Sequence, residues 1–339
     1  MLKRRIIIAI RIAAALSSLP AAYLVTTSIP CQASALAATS NEGAWLNAAP
    51  MPTARSEIAA AVLDGLIYVA GGLQGAATTA AFEVYDPAQD TWRAVAPLPV
   101  ALHHLGMAAA NGRVYVTGGF MDLTFGQLIA AAWAYDPEGD AWEQVASMPA
   151  PRAAHTMAAL GDQLFVVGGV PDATALWAYD PATDVWETAL APMPTAREHL
   201  ASAVLDGLVY AVGGRWSGEG NLDALEVYSP ATDAWKRLPA MPTPRGGLTA
   251  AVIDGQVVVA GGENPWARGG TGCTYRTVEV YDPTARLWSR LAGLPTPLHG
   301  LTSAVADATR RWYIVGGATR PTFGTFFSLN NRVLAYTPD

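Results

Sequence analysis

All five histidines of this chain fall in one kind of place. His103, His104, His155, His199 and His299 each lie within three residues of the same point in a recurring segment, just ahead of an apolar run that ends in paired glycines. Arg55, Arg152, Arg197 and Arg245 all stand sixteen residues before their glycine pair, while Leu102 and Leu298 take that place in two further copies. Imidazoles can move protons near neutral pH. Guanidinium forks bind carboxylates through paired hydrogen bonds. Glu57, Glu198 and His199 are therefore candidate acid–base residues. Arg55, Arg152, Arg197 and Arg245 are candidates for an anion clamp, with His103, His104 and His299 beside them at a solvent-lined mouth. His155 aligns with Ile58, Leu105, Leu200, Leu248 and Leu301 and reads as packed core. Histidines from neighbouring copies could also meet at a metal, but no spaced Cys/His pattern demands one. Neither a metal nor another cofactor is expected. No phosphate loop or Ser-His-Asp order is present.

The elements that carry these residues repeat. Paired glycines close an apolar run at 71–72, 118–119, 168–169, 213–214, 261–262 and 316–317, at spacings of 47, 50, 45, 48 and 55 residues. A tyrosine follows each pair, at 85, 135, 179, 228, 281 and 336. In the first five copies a tryptophan stands seven residues later, at 92, 142, 186, 235 and 288. Asp64-Gly65, Asn111-Gly112, Asp206-Gly207 and Asp254-Gly255 split the apolar stretch into two strands, because Asx-Gly supplies the positive φ angles of a tight hairpin. Two more strands follow, one ending at the tyrosine and one holding the tryptophan, and prolines such as Pro97 and Pro99 end the unit.

This pattern, over about residues 43–339, resembles the kelch repeat. The resemblance implies an all-β fold: a six-bladed kelch β-propeller with four antiparallel strands per blade. The sixth copy stops at Tyr336-Thr-Pro-Asp339 without a fourth strand, and AWLNAAPMP (44–52) carries the missing tryptophan, Trp45. The last blade should therefore be closed by the N-terminal strand, which removes an open sheet edge.

The loops after the glycine pairs are long in blades two (120–128), four (215–221), five (263–276) and six (318–332). Trp216, Trp266, Arg268 and Phe323 lie there, and aromatic groups beside polar ones suit a peptide or a sugar. The expected function is a protein- or carbohydrate-binding module acting through this long-loop face, the arginines suiting an anionic ligand. The alternative is a mutarotase- or epimerase-like isomerase acting on an acidic sugar. Kelch propellers also occur in galactose-oxidase-like copper enzymes and iron-dependent specifier proteins. Here Cys273 and Tyr275 alone do not make the oxidase's cross-linked centre, and the specifier iron motif is missing.

Lys3, Arg4 and Arg5 precede an apolar stretch from Ile6 to Val25, followed by small residues. Residues 1–37 thus resemble a signal peptide cleaved after Ala35 or Ala37, leaving residues 38–339 as the propeller and a secreted or periplasmic monomer. A retained membrane anchor is the other reading. Cleavage would leave 17 basic against 28 acidic residues, a net of about −11, which disfavours a nucleic-acid partner. It would also remove Cys31, leaving Cys273 without an intrachain partner.

Overall fold

A computed structural model describes residues 30–33, 43–306 and 309–338; the expected signal peptide falls largely outside them, and its expected cleavage points after Ala35 and Ala37 wholly so. Six antiparallel four-stranded sheets follow one another along the chain, with one short extra strand on the fifth sheet. In blade one the strands are Ala59–Leu63, Leu66–Ala70, Phe82–Asp86 and Thr91–Ala94, paired in chain order. Blades two to five repeat that order. The first strands of successive blades lie side by side in a closed cycle, with blade six against blade one. Helical structure among the described residues is limited to a turn at Ala267–Gly270 and a 3-10 segment at Thr322–Phe327. No helix among the described residues is long and apolar enough to cross a membrane.

Closure follows the expected route. Ala44–Ala48 pairs antiparallel with Val333–Thr337, placing Trp45 opposite Tyr336. Trp45 stacks at 5.1 Å from Tyr336 and 5.7 Å from the fully buried Trp312.

The recurring tyrosine and tryptophan do more than fill the wedge between sheets. Trp92, Trp142, Trp186 and Trp235 each donate their indole N–H to a carbonyl of the preceding blade, at 2.8 to 2.9 Å. The same acceptor residues (Ala49, Ala96, Ala146 and Ala191) donate their own N–H to Asp90, Asp140, Asp184 and Asp233. Those carboxylates also accept from Tyr85, Tyr135, Tyr179 and Tyr228. Blades one to four thus each clip their predecessor through both groups of one peptide position, with the tyrosine, the indole and the carboxylate all paired. Trp288 and Trp45 keep the indole bond in the last two junctions.

One sequence expectation is corrected here. Cys273 is not left single: it forms a disulfide with Cys31, 242 residues away, and the Cys31 N–H donates to the Thr274 carbonyl. Cleavage after Ala35 or Ala37 would discard half of this bridge, whereas cleavage ahead of Pro30 would keep it. Mapping the N-terminus of the finished protein by mass spectrometry, with a thiol titration, should find Cys31 present and no free thiol. An N-terminus at residue 36 or 38 with one titratable thiol per chain would contradict the bridge.

Candidate functional site

The residue two places after each arginine or leucine of the interblade link forms a ring at the mouth of the channel. Its members are Glu57, His104, Ala154, His199, Gly247 and Gly300. Each donates its backbone N–H to the carbonyl of the preceding member, the cycle running from Glu57 to Gly300 and back at 2.7 to 3.1 Å. All six have positive φ, between 51° and 64°. Two are glycines, for which that region is free of steric cost. The other four hold a Cβ in the left-handed region at roughly 1–2 kcal/mol each. Side chains kept on such a backbone are a mark of functional sites.

The next residue outward along the link, one place after the arginine, bridges to the residue behind the glycine pair: Ser56 to Leu73, His103 to Phe120, Ala153 to Val170, Glu198 to Arg215 and His299 to Ala318. Gly246 pairs with Glu263 in the same way. One place beyond the ring, Ile58, Leu105, His155, Leu200, Leu248 and Leu301 form a buried layer across the channel. It separates a mouth cavity of about 90 Å³ from a deeper one of about 160 Å³ lined by Thr156, Ser202, Thr249 and Ser303. His155 is packed in this layer as expected, bonded to Thr117 at 3.0 Å. Burial, and then Arg152, push its imidazole down to about 3.

The ring gathers the polar candidates into one cluster. His104 Nε2 stands 2.9 Å from His199 Nε2 and 3.2 Å from Glu57 Oε2. His103 Nδ1 is 2.5 Å from His104 Nδ1. His199 contacts Glu198 at 3.3 Å and Arg215 at 2.8 Å. His299 lies 3.5 Å from Glu57 and 3.4 Å from Glu263. Arg215 ties Glu198 to Glu263, bonding both. Phe120 and Phe125 wall the His103–His104 pair with ring centroids 5.2 to 5.7 Å away. Burial lowers the His103 imidazole to about 4 and holds that of His104 well below its ordinary value, His199 adding to the latter, so both rings are neutral at pH 7. Burial alone would raise Glu198, but His199 and Arg215 outweigh it and hold that carboxyl at about 2. Burial opposes the charge on Arg215 too, and Glu263 and Glu198 overcome it, raising its pKa.

The histidines therefore converge as expected, but packed together rather than lining open solvent: His103 and His299 are 0% and 1% exposed. Arg215 and Glu263 complete the cluster, and Glu263 was missed from sequence. The signal was the position directly behind the glycine pair, which is Leu73, Phe120, Val170 and Ala318 in four blades but Arg215 and Glu263 in two.

The anion clamp is corrected outright. Arg55, Arg152, Arg197 and Arg245 are at most 1% exposed and lie inside the blades. Arg55, Arg197 and Arg245 pair with Glu83, Glu226 and Glu279 at 2.5, 3.0 and 2.5 Å. The same carboxylates accept from Thr53, Thr195 and Thr243. Arg152 instead caps the Trp177 ring at 3.9 Å and donates to the Gly168 and Asp172 carbonyls. The sequence varies in step. Blades with Glu in the third strand have both Thr and Arg in the link, whereas Trp177 accompanies Ala150, and Trp133 and Leu334 accompany Leu102 and Leu298. The arginines thus brace links to blades and cannot reach a ligand. Of the loop candidates, Trp266 is 52% exposed, Trp216 is half-buried, and the side chain of Arg268 is outside the described set.

A six-bladed propeller with a polar cluster on its axis defines the class, and the comparisons define the family. The KLHDC2/KLHL20/DRC7 Kelch-repeats domain model matches residues 40–169 and 97–262, and the Kelch motif model matches residues 244–295. The chain belongs to the kelch-repeat family. It is similar to Kelch-like protein 23 of Mus musculus and of Homo sapiens, 30% identical over 128 residues in each. That alignment spans 38% of this chain but 22% of those relatives. Among solved structures, one titled "Structure of YjhT" is similar at a TM-score of 0.70 and 18% identity, over 84% of this chain and 95% of that one, a likeness of fold alone. At this coarse level the fold supports a protein-binding module.

Arg245→Ala should destabilise the propeller by about 3 kcal/mol in chemical denaturation, since it removes the fully buried partner of Glu279 and leaves only the more exposed Arg290, 3.3 Å away, to compensate that charge. Replacing the pair as Arg245→Leu with Glu279→Leu, the residues blade six already uses at Leu298 and Leu334, should recover most of that loss. Unchanged stability in the single variant would contradict a bracing role.

Proposed function

We propose that this chain is an exported binding module that docks a protein partner on the face carrying the interblade links and the long loops. The observation behind this reading is the placement of exposed large apolar side chains. Met121, Phe125, Trp266 and Phe327 are 40–53% exposed, and all four sit in the long loops of blades two, five and six on that face. Leu46, Val185 and Leu287 belong to outer strands of separate blades. Aromatic and methionine side chains around a polar centre match the composition of protein-binding patches. The Cys31–Cys273 bridge supports export, because disulfides persist in oxidising compartments.

Two finer readings from sequence carry less. An acidic sugar would meet a cluster with three carboxylates, Glu57, Glu198 and Glu263, and one guanidinium, Arg215, since the four other arginines are buried elsewhere. For an isomerase, Glu198 held at about 2 is a weak base, far from the near-neutral value that proton transfer favours. The 90 Å³ mouth cavity suits a few waters better than a sugar ring.

Selection from a displayed peptide library, with a glycan array in parallel, tests the docking face. Peptides enriched on the wild-type chain should bind a Phe125→Ser, Trp266→Ser double variant at least about tenfold more weakly, the loss expected for a hot-spot anchor. Equal binding by the variant, or enrichment of glycans alone, would contradict the proposal.

A further inference from the structure

From the hydrogen-bond network at the channel mouth we infer that Glu57, His104 and His199 form a binding site for one divalent first-row transition-metal ion. The argument is one of proton accounting. The fully buried His103 ring donates from Nε2 to the Asp122 carbonyl at 2.9 Å, so its Nδ1 carries a lone pair. His104 Nδ1, 2.5 Å away, must then donate to it, which leaves His104 Nε2 bare. On His199, Nε2 faces Arg215 Nη2, a group that can only donate, and Nδ1 faces the Glu198 carboxylate, a group that can only accept. His199 Nε2 therefore carries its lone pair, which accepts from Arg215 until an ion displaces that one guanidinium hydrogen bond, Arg215 keeping its bonds to Glu198 and Glu263.

Two imidazole lone pairs thus meet at 2.9 Å, with the Glu57 carboxylate 3.2 Å from one of them. The three donor atoms come from three different blades and all lie within 4.8 Å of one another. A proton can bridge only two of these atoms, whereas a metal ion serves all three. With metal–nitrogen bonds of about 2.0–2.1 Å, adjacent ligands stand about 2.9 Å apart at a right angle and about 3.4 Å apart at a tetrahedral one. The two separations at His104 Nε2, 2.9 Å to His199 and 3.2 Å to Glu57, fall in that interval.

Charge and support agree with this assignment. Three carboxylates, Glu57, Glu198 and Glu263, stand in the cluster against one guanidinium, Arg215, an acidic excess that a divalent ion offsets. His103 fixes the His104 tautomer by a hydrogen bond, and the Glu198 carboxylate stands 3.3 Å behind His199 Nδ1 as its outer partner. Glu57, His104 and His199 border the 90 Å³ cavity, which has room for the ion's remaining waters. Two imidazoles and a carboxylate leave coordination positions open and suit Zn²⁺, Fe²⁺ or Co²⁺ rather than Ca²⁺ or Mg²⁺. This reverses the expectation from sequence that no metal is held.

Calorimetric titration of the chelator-stripped full chain with ZnCl₂, repeated with CoCl₂ to record its visible bands, tests the site. With both cysteines in a disulfide, thiols do not compete. The expected result is one ion per chain and cobalt bands that zinc displaces. Glu198→Gln should weaken binding by about 10–100-fold, as loss of an orienting partner does, and His199→Gly by more than that. His199→Gly should fold, because Gly247 and Gly300 occupy equivalent left-handed positions. Glu57→Gln, which keeps the side-chain shape, should also bind more weakly than wild type and covers the case in which the glycine variant does not fold. Absence of saturable binding to the wild-type chain, or wild-type affinity in folded His199→Gly or in Glu57→Gln, would overturn the inference.

Discussion

Six backbone hydrogen bonds around the channel mouth hold the propeller's functional face in place. Each runs from one blade to its neighbour, so Glu57, His104, Ala154, His199, Gly247 and Gly300 form a closed cycle of peptide groups. Every member of the closed ring has a positive φ. The usual solution is glycine, and blades five and six use it. Blades one, two and four carry Glu57, His104 and His199 against that preference, and these three side chains meet over the axis. The conformational cost, roughly 1–2 kcal/mol per residue, is sustained by the packing of the blades around them.

That packing is a set of near-identical junctions. On the periphery each tryptophan and aspartate grips one peptide of the preceding blade. Nearer the axis a buried arginine, or a leucine in its place, fixes the link that enters the next blade. Below the ring a buried layer of five aliphatic side chains and His155 lies across the channel beneath the polar cluster. Low local dielectric strengthens its charge interactions, and these hold Glu198 ionised and Arg215 charged despite burial. The loops above vary from blade to blade and expose Trp266 and Phe327, while Phe125 is part exposed and, with the buried Phe120, packs against the histidines.

Much of the fold was legible because a repeat states each instruction six times. The glycine pairs, the Asx-Gly hairpins and the Tyr-to-Trp spacing each have a local physical reason, and closure by Trp45 follows from a strand missing at one end and present at the other. The site was legible only in part. The histidines stood out because aligned positions hold Ser, Ala or Gly, so packing does not require them. The arginines misled because a bracing residue and a ligand clamp can occupy the same link position. Only the partner distinguishes them, and Glu83, Glu226 and Glu279 lie about thirty residues downstream. Cys31 misled for a different reason, since a leader-like sequence gives no sign that its end returns to blade five.

The central claim is that the axial ring is one cooperative unit joining all six blades. Native-state hydrogen exchange of the Glu57, His104, Ala154, His199, Gly247 and Gly300 amides tests it most directly. If the ring closes as described, the six amides share one protection level, equal to that of the innermost strands, because none can open without parting two blades. Fast or unequal exchange among them, with the strands still protected, would show that the mouth opens blade by blade and would contradict the account.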